Sequence, residues 1–183
     1  MNKVLIFSLL IMLFSIQNIF SQDKDLPPLK TVSQVDLNKY VGLWYEITKI
    51  PNSFQKQCAY GTTAEYKLLE DGNIQVINKC YTKDSEADVA EGLAKVVDKK
   101  TNSKLEVSFF SILGFRPFWG DYWIIGLDDN YQWAVVGSPN RKYGWILSRI
   151  PSLPEKTLTK IFLILKDQHY NPNEFEMTVQ KNN

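Results

Sequence analysis

The sequence predicts an all-β protein whose strands form an antiparallel sheet, and two observations lead to that prediction. Runs rich in β-branched and aromatic residues recur between Gly42 and Arg149, with turn-forming residues between them. No helical segment alternates with those runs, which argues against a parallel sheet because parallel strands need long, usually helical, crossovers. An antiparallel architecture follows, either a closed barrel or a two-sheet sandwich.

The candidate strands are eight in number, and turn signals separate them. A closed barrel of this size has an interior just wide enough for side chains or for one small ligand, and closure also removes unpaired edges. The runs are residues 42–50, 59–68, 73–81, 89–97, 104–110, 121–127, 131–138 and 143–149.

The second and third runs predict a hairpin with a defined register. The pair Asp71-Gly72 suits a type I turn followed by a glycine in the left-handed region. That register places Tyr66 opposite Val76, on the same face as Asn78. This face mixes aromatic, aliphatic and polar residues, which is more varied than the core of an ordinary packed sheet.

A single amphipathic helix is predicted after the strands. The helix begins beyond Pro154 and ends before Asn171-Pro172. A short β-rich run over residues 175–179 follows it. Apolar side chains recur at helical spacing along the helix, at Leu158, Ile161, Phe162 and Leu165.

The first segment, residues 1–21, is predicted to be a secretory signal peptide, with an uncleaved membrane anchor as the alternative. Lys3 precedes an apolar run over residues 4–16, which is too short to span a bilayer but fits the apolar part of a signal peptide. Residues 22–34 are interpreted as an extended lead-in and residues 35–183 as one domain. No cysteine lies near the expected cleavage region, so a lipidated N-terminal cysteine is not expected.

Export affects the interpretation of the two cysteines. In an oxidising compartment a pair of cysteines usually forms a disulfide. Cys58 and Cys80 flank the predicted hairpin turn, and a strictly regular hairpin leaves Cys58 several residues past the partner of Cys80. The chain near residues 55–60 must therefore curl back for the two to meet, and a pair of free thiols is the alternative.

Composition and charge exclude several classes of function. The chain carries 21 Lys and Arg against 20 Asp and Glu, so it lacks the basic surplus of a nucleic-acid binder. One His and two Cys are too few for most metal sites, and no metal or cofactor is expected. Aromatic residues make up 13% of the chain, and the fold must accommodate them.

Three blocks of the sequence resemble conserved blocks of the lipocalin family. Residues 42–45, Gly-Leu-Trp-Tyr, match its G-x-W-[YF] signature. Residues 125–137 resemble the second block, but they keep only Asp128 and Tyr131 of its Thr-Asp-Tyr. Residues 145–151 match the third block, an arginine followed by x-Pro before the helix. The subgroup indicated is that of the bacterial outer-membrane lipocalins and apolipoprotein D.

The resemblance spans about residues 36–180 and implies an eight-stranded up-and-down β-barrel with the C-terminal helix packed outside. It also implies that Arg149 lies over the indole of Trp44 at the closed end, where it can donate to main-chain carbonyls of the lead-in. A guanidinium on an indole face contributes about 0.5–2 kcal/mol. Gly42, Trp44 and Arg149 are therefore expected to have structural roles.

The expected barrel interior is mostly apolar with a few polar groups, as in small-molecule sites. The resemblance to apolipoprotein D implies that a ligand pocket is lined by Tyr66, Asn78, Tyr122 and Trp145, and strand alternation adds Phe109. The alternative is that these aromatic side chains simply fill the barrel. Alternation also directs inward Val76, Val107, Ile124, Tyr143 and Leu147.

Residues 111–120 form an unusually apolar loop, which the resemblance places at the open end of the barrel. Exposed there, the loop would be a lid over ligand or a contact for lipid, and folded inward it would be a plug. Arg116, Arg141 and Lys142 are expected around the same rim, where they suit an anionic head group, with solvated surface as the alternative.

These observations predict an exported, non-enzymatic carrier of a fatty acid, a lysophospholipid or a similar apolar molecule. The carrier is expected in the periplasm or outside the cell, and association with the outer membrane is consistent with the same observations. One alternative is a membrane-associated shielding or scaffold protein that acts through loop 111–120. Another is a lipid-modifying enzyme, but pairing of Cys58 with Cys80 would remove the one plausible thiol nucleophile. The sole histidine, His169, lies near the predicted end of the helix, outside the barrel.

Overall fold

A computed structural model describes residues 26–180 and places nine strands and two α-helices in that range. The helices are α1 (Leu37–Tyr40) and α2 (Glu155–Asp167), with 3-10 turns at Ser53–Gln55 and Pro172–Glu174. The strands are β1 (Gly42–Lys49), β2 (Tyr60–Leu68), β3 (Ile74–Tyr81), β4 (Ala87–Val96), β5 (Lys104–Ser108), β6 (Gly120–Leu127), β7 (Trp133–Gly137), β8 (Gly144–Ser148) and β9 (Glu176–Met177).

The sheet closes on itself, so the barrel is confirmed and the sandwich alternative is wrong. Each of the first seven strands pairs antiparallel with the next, and β1 pairs with both β8 and β2. The predicted hairpin register is also confirmed, because Tyr66 lies opposite Val76 and Gly72 has a φ of +81°. Left-handed backbone at this position favours glycine, which has no Cβ to clash.

Several strands differ from the predicted runs at their ends. The fifth run was predicted to reach residue 110, but β5 ends at Ser108 where the apolar loop begins. The seventh strand starts at Trp133, two residues later than predicted, because Tyr131 has a φ of +59° in the preceding turn. The predicted strand over residues 175–179 is reduced to Glu176–Met177.

The C-terminal segment closes a gap between β1 and β2. These two strands pair only over Gly42–Tyr45, near the closed end, and then diverge. Residues 176–180 fill the space. The Thr178 amide donates to the Ile47 carbonyl, and the Gly61 amide donates to the Val179 carbonyl. The end of the chain is therefore part of the barrel wall.

Two apolar cores stabilise the fold, one inside the barrel and one between the barrel and α2. Trp44, Ile124 and Val136 are buried in the inner core. Ile161 and Leu165 of α2 are buried in the outer core, as the helical spacing predicted. The C-terminal helix therefore packs outside the barrel.

The disulfide is confirmed, because the Cys58 and Cys80 sulfur atoms are bonded. The chain curls back as expected, through the 3-10 turn that ends at Gln55 and a register shift between Tyr60 and Thr63. Cys58 therefore carries no free thiol.

The predicted signal peptide, residues 1–21, lies outside the described residues. Of the lead-in, residues 26–34 are described, and they run along the barrel, where the Val32 amide donates to the Ile124 carbonyl. Among residues 26–180, no helix is long and apolar enough to cross a membrane.

Candidate ligand-binding site

The closed end of the barrel is built around Trp44 and Arg149. Trp44 is completely buried, and the Arg149 guanidinium carbon lies 3.7 Å from the centre of its ring system. Gly42 has a φ of +96°, and a Cβ there would lie 3.4 Å from Arg149 Nη1, so a side chain at this position would be strained. The predicted structural contact between the indole and the guanidinium is present.

The carbonyls that Arg149 satisfies differ from those expected. Among the described residues of the lead-in, 26–34, no carbonyl accepts a hydrogen bond from its guanidinium, contrary to the expectation. It donates to the carbonyls of α1 and early β1 and to one across the β6–β7 turn, namely Lys39, Tyr40, Val41, Leu43 and Tyr131. Arg149 therefore ties the short helix α1 to the end of the barrel.

Above this end lies a cavity of about 300 Å³, at the lower end of the range for small-molecule sites. The aromatic side chains therefore do not completely fill the barrel. All five predicted ligand-binding residues line it, namely Tyr66, Asn78, Phe109, Tyr122 and Trp145. Val76, Val107, Tyr143 and Leu147 line it as alternation predicted, whereas Ile124 is not in contact with it and packs in the inner core.

The cavity floor is a chain of three tyrosine hydroxyls. Tyr122 Oη lies 2.8 Å from Tyr40 Oη and 2.9 Å from Tyr66 Oη. Burial raises the pKa of Tyr66 to about 12 and raises the pKa values of Tyr40 and Tyr122 well above their usual range. The three hydroxyls therefore stay protonated throughout the physiological pH range.

The cavity mouth is covered by the turn that follows β1. The Phe54 ring lies 5.6 Å from Tyr143 and 6.3 Å from Trp145, measured between ring centroids. Trp145 Nε1 donates to Gln55 Oε1 at 3.1 Å, and Gln55 Nε2 donates to Glu46 Oε2 at 2.7 Å. The turn is thus held over the mouth by aromatic contacts and by two side-chain hydrogen bonds.

A bulge in β1 places a charged pair on the inner face. Regular alternation from Trp44 would direct Glu46 and Thr48 inward. The register against β8 shifts between these two residues, and Lys49 rather than Thr48 then shares a face with Glu46. Lys49 Nζ lies 2.9 Å from Glu46 Oε1, and Thr178 Oγ1 donates to the same oxygen at 2.6 Å. Both oxygens of the buried Glu46 carboxylate therefore accept hydrogen bonds, Oε1 from Lys49 and Thr178 and Oε2 from Gln55.

The fold agrees with the comparisons to known proteins. Residues 35–180 match the family model described as a lipocalin-like domain. The chain belongs to the lipocalin family. This lipocalin is 38% identical to the outer membrane lipoprotein Blc of Vibrio cholerae over 147 residues, which cover 79% of the chain and 82% of that protein.

Similarity extends to animal proteins of the family. Apolipoprotein D of Rattus norvegicus is 40% identical over 147 residues, covering 76% of this lipocalin and 72% of that protein. The structure of insecticyanin from the tobacco hornworm Manduca sexta superimposes with a TM-score of 0.67 at 25% identity, covering 84% and 85% of the two chains. The subgroup indicated by the sequence blocks is confirmed.

The three basic residues predicted at the rim of this lipocalin have different surroundings, and none lines the cavity. Arg141 donates to the carbonyls of Pro27, Pro139 and Gln168, which binds the lead-in to the end of α2. Arg116 donates to the Ser108 carbonyl at 2.9 Å. Lys142 is exposed at the tip of the β7–β8 hairpin. Two of the three guanidinium or ammonium groups are thus already engaged with main-chain carbonyls.

The apolar loop over residues 111–120 projects outward. None of residues 111–119 lines the cavity, so the loop is not a plug. Leu113 is fully exposed at the tip with a φ of +50°, and Phe115 and Phe118 are each 70% exposed. Trp119 is different, because its Nε1 donates to the Arg116 carbonyl and Lys95 Nζ lies 4.1 Å from its ring centre.

Sequence reasoning missed several residues that line the cavity, including four at its floor and mouth. Glu46 lies in the first predicted strand but was not expected to face inward, and Tyr40, Phe54 and Gln55 lie outside the predicted strands. Tyr40 lies two positions before Gly42, at the end of α1, so strand alternation counted back from Trp44 could not be used to place it. His169 is exposed with a φ of +60° just beyond α2, as predicted, and it lies outside the barrel.

Proposed function

We propose that this protein is an exported carrier that binds a fatty acid, a lysophospholipid or a similar apolar molecule in its barrel. The observation that carries the proposal is the cavity of about 300 Å³, whose walls are mostly apolar and whose floor and mouth bear a few polar groups. Membership of the lipocalin family supports it. The predicted signal peptide supports export to the periplasm or the medium.

Binding would be reversible burial without a chemical step. Each CH₂ group of an acyl chain that leaves water contributes about 0.8 kcal/mol. Phe54 and Gln55 must move aside for entry, because they cover the mouth beside Trp145. An anionic head group would remain at the mouth, where Tyr143 lines the cavity and the preceding residue, Lys142, is exposed.

Titration with a fatty acid should quench the fluorescence of Trp145, because among the tryptophans of residues 26–180 it alone lines the cavity. Saturable quenching that a second apolar ligand reverses is the expected result. The Trp145→Phe variant should lose most of the signal, whereas the matched Trp123→Phe variant should keep it. Absence of binding by delipidated protein across several lipid classes would refute the proposal.

A second candidate function is contact with a membrane through loop 111–120, and the exposure of its apolar side chains favours it. Leu113, Phe115 and Phe118 are all exposed in this loop. The Phe118 ring lies 5.8 Å from that of Phe110, and the preceding residue, Phe109, lines the cavity, so contact with a bilayer would bring this part of the cavity wall close to lipid.

Liposome flotation tests the membrane contact. A Phe115→Ser/Phe118→Ser variant should remain in the dense fraction while the parent floats. The matched control is Leu163→Ser, which removes an apolar side chain of α2 that is 61% exposed, and this variant should float like the parent. If parent and loop variant float to the same extent, loop 111–120 is not the contact.

A further inference from the structure

The three floor hydroxyls have one more O–H donor than the two hydrogen bonds between them use. Tyr40, Tyr66 and Tyr122 each carry one O–H donor, and two hydrogen bonds connect them. Whichever way those bonds are directed, one O–H is left over. Within residues 26–180, these three hydroxyls make no other hydrogen bond. The floor therefore offers one spare donor to the cavity.

The surroundings of the spare donor are apolar. Tyr40 and Tyr66 are buried and pack in the inner core, and Tyr122 packs against it. The residues paired with Tyr66 and Tyr122 on the neighbouring strands are aliphatic and also line the cavity, namely Val76 and Leu105. Because burial keeps the pKa values of these hydroxyls high, the donor is not lost by ionisation near neutral pH.

We infer that the tyrosine floor selects an apolar molecule whose inserted end carries a hydrogen-bond acceptor oxygen, such as a hydroxyl, a ketone or an ether. This inference rests on the proposed carrier function and narrows its ligand class. A donor left unpaired in a dry cavity is unfavourable, and an acceptor on the ligand removes that cost. A plain hydrocarbon end leaves the donor without a partner, so the floor disfavours it.

The position of the floor makes this selection independent of the head group. Trp145 and Phe54 lie at the mouth, whereas the ring of Tyr40, one of the three floor residues, lies 5.1 Å from the Trp44 ring at the closed end. A ligand held at the mouth by its carboxylate therefore presents its other end to the tyrosines. The chemistry required is an amphiphile with a second oxygen remote from its head group, such as an ω-oxygenated acyl chain.

Competition binding of matched acids tests the inference. The probes are dodecanoic, tetradecanoic and hexadecanoic acids and their ω-hydroxy counterparts, each displacing a fluorescent fatty acid. In the parent protein, the ω-hydroxy acid of the best-fitting length should bind within about threefold of its plain counterpart, because the hydrogen bond to the floor offsets the cost of removing the ligand hydroxyl from water. In the Tyr40→Phe/Tyr66→Phe/Tyr122→Phe variant, which removes every floor hydroxyl while keeping the ring shapes, it should bind about tenfold more weakly than the plain acid. The Tyr143→Phe control alters a hydroxyl at the mouth and should leave the ratio unchanged.

The outcomes separate the inference from the proposed function. If neither class of acid binds the parent, the proposed function fails. If the plain acids bind and the affinity ratio is the same in the parent and the triple variant, the carrier function stands and the floor selection is overturned.

A second measurement needs no variant. The infrared band of a ¹³C-labelled ketone placed next to the ω end of a bound acid should lie below its frequency in cyclohexane, as expected for a carbonyl that accepts a hydrogen bond. An unshifted band would overturn the inference even if the triple variant failed to fold.

Discussion

Replacing Trp44 with alanine is expected to lower the free energy of unfolding by about 3–5 kcal/mol, the usual range for truncation of a buried aromatic residue. Trp44 is fully buried, its Nε1 donates to the Tyr40 carbonyl at 2.7 Å, and Arg149 stacks on its ring system. The substitution removes all three interactions together and leaves a cavity next to the tyrosine floor. Urea denaturation followed by circular dichroism measures the change.

The matched control for Trp44 is Trp119→Ala in the apolar loop. Trp119 is half-buried and packs mainly against Lys95, so its loss should cost less than about 1 kcal/mol, as for most surface substitutions. If Trp44→Ala had the same midpoint and slope as the parent, the closed end would not depend on the indole, and the structural role assigned to Arg149 would also be wrong.

Removal of the disulfide by Cys58→Ser/Cys80→Ser should lower the free energy of unfolding by about 3 kcal/mol. The sequence separation of the two residues is 22, and closing a loop of that size restricts the unfolded chain by about this amount in the chain-entropy model. The folded state loses little, because the start of β2 stays paired with β3 through Tyr60 and Tyr81. Denaturation with and without reductant measures the effect.

The double-serine variant should not respond to reductant, whereas the parent should lose stability on reduction by the same amount. A parent protein whose midpoint is independent of reductant would show that the bond does not restrict the unfolded chain. Because Cys58 follows the turn that carries Phe54 and Gln55, the variant should also release bound fatty acid faster than the parent.

Local patterns were sufficient to predict most of the fold. The hairpin register followed from Asp71-Gly72, and α2 followed from apolar spacing. Closure of the sheet did not follow from local patterns, because alternation is the same in a barrel and a sandwich, and the resemblance carried by Trp44 and Arg149 was needed. The insertion of residues 176–180 between β1 and β2 depends on where those strands diverge, which is a property of the whole barrel.

The candidate site was predictable where it lies on regular strands. Tyr66, Tyr122 and Trp145 were identified because strand alternation and the family blocks agree on them. Glu46 and Gln55 were missed for physical reasons. The bulge in β1 changes which residues face inward, and the turn over the mouth depends on contacts between segments far apart in sequence.

The central claim is that the barrel of this protein holds an apolar molecule, and native mass spectrometry of protein purified from its own host without delipidation tests it most directly. We predict a species heavier than the chain by the mass of one small lipid or apolar amphiphile, which organic extraction removes. The Ala94→Phe variant, which fills the cavity from β4, should carry little of it, and Leu163→Ser should carry as much as the parent. A parent protein that is empty under gentle conditions, or whose adduct is unaffected by Ala94→Phe, would contradict the claim.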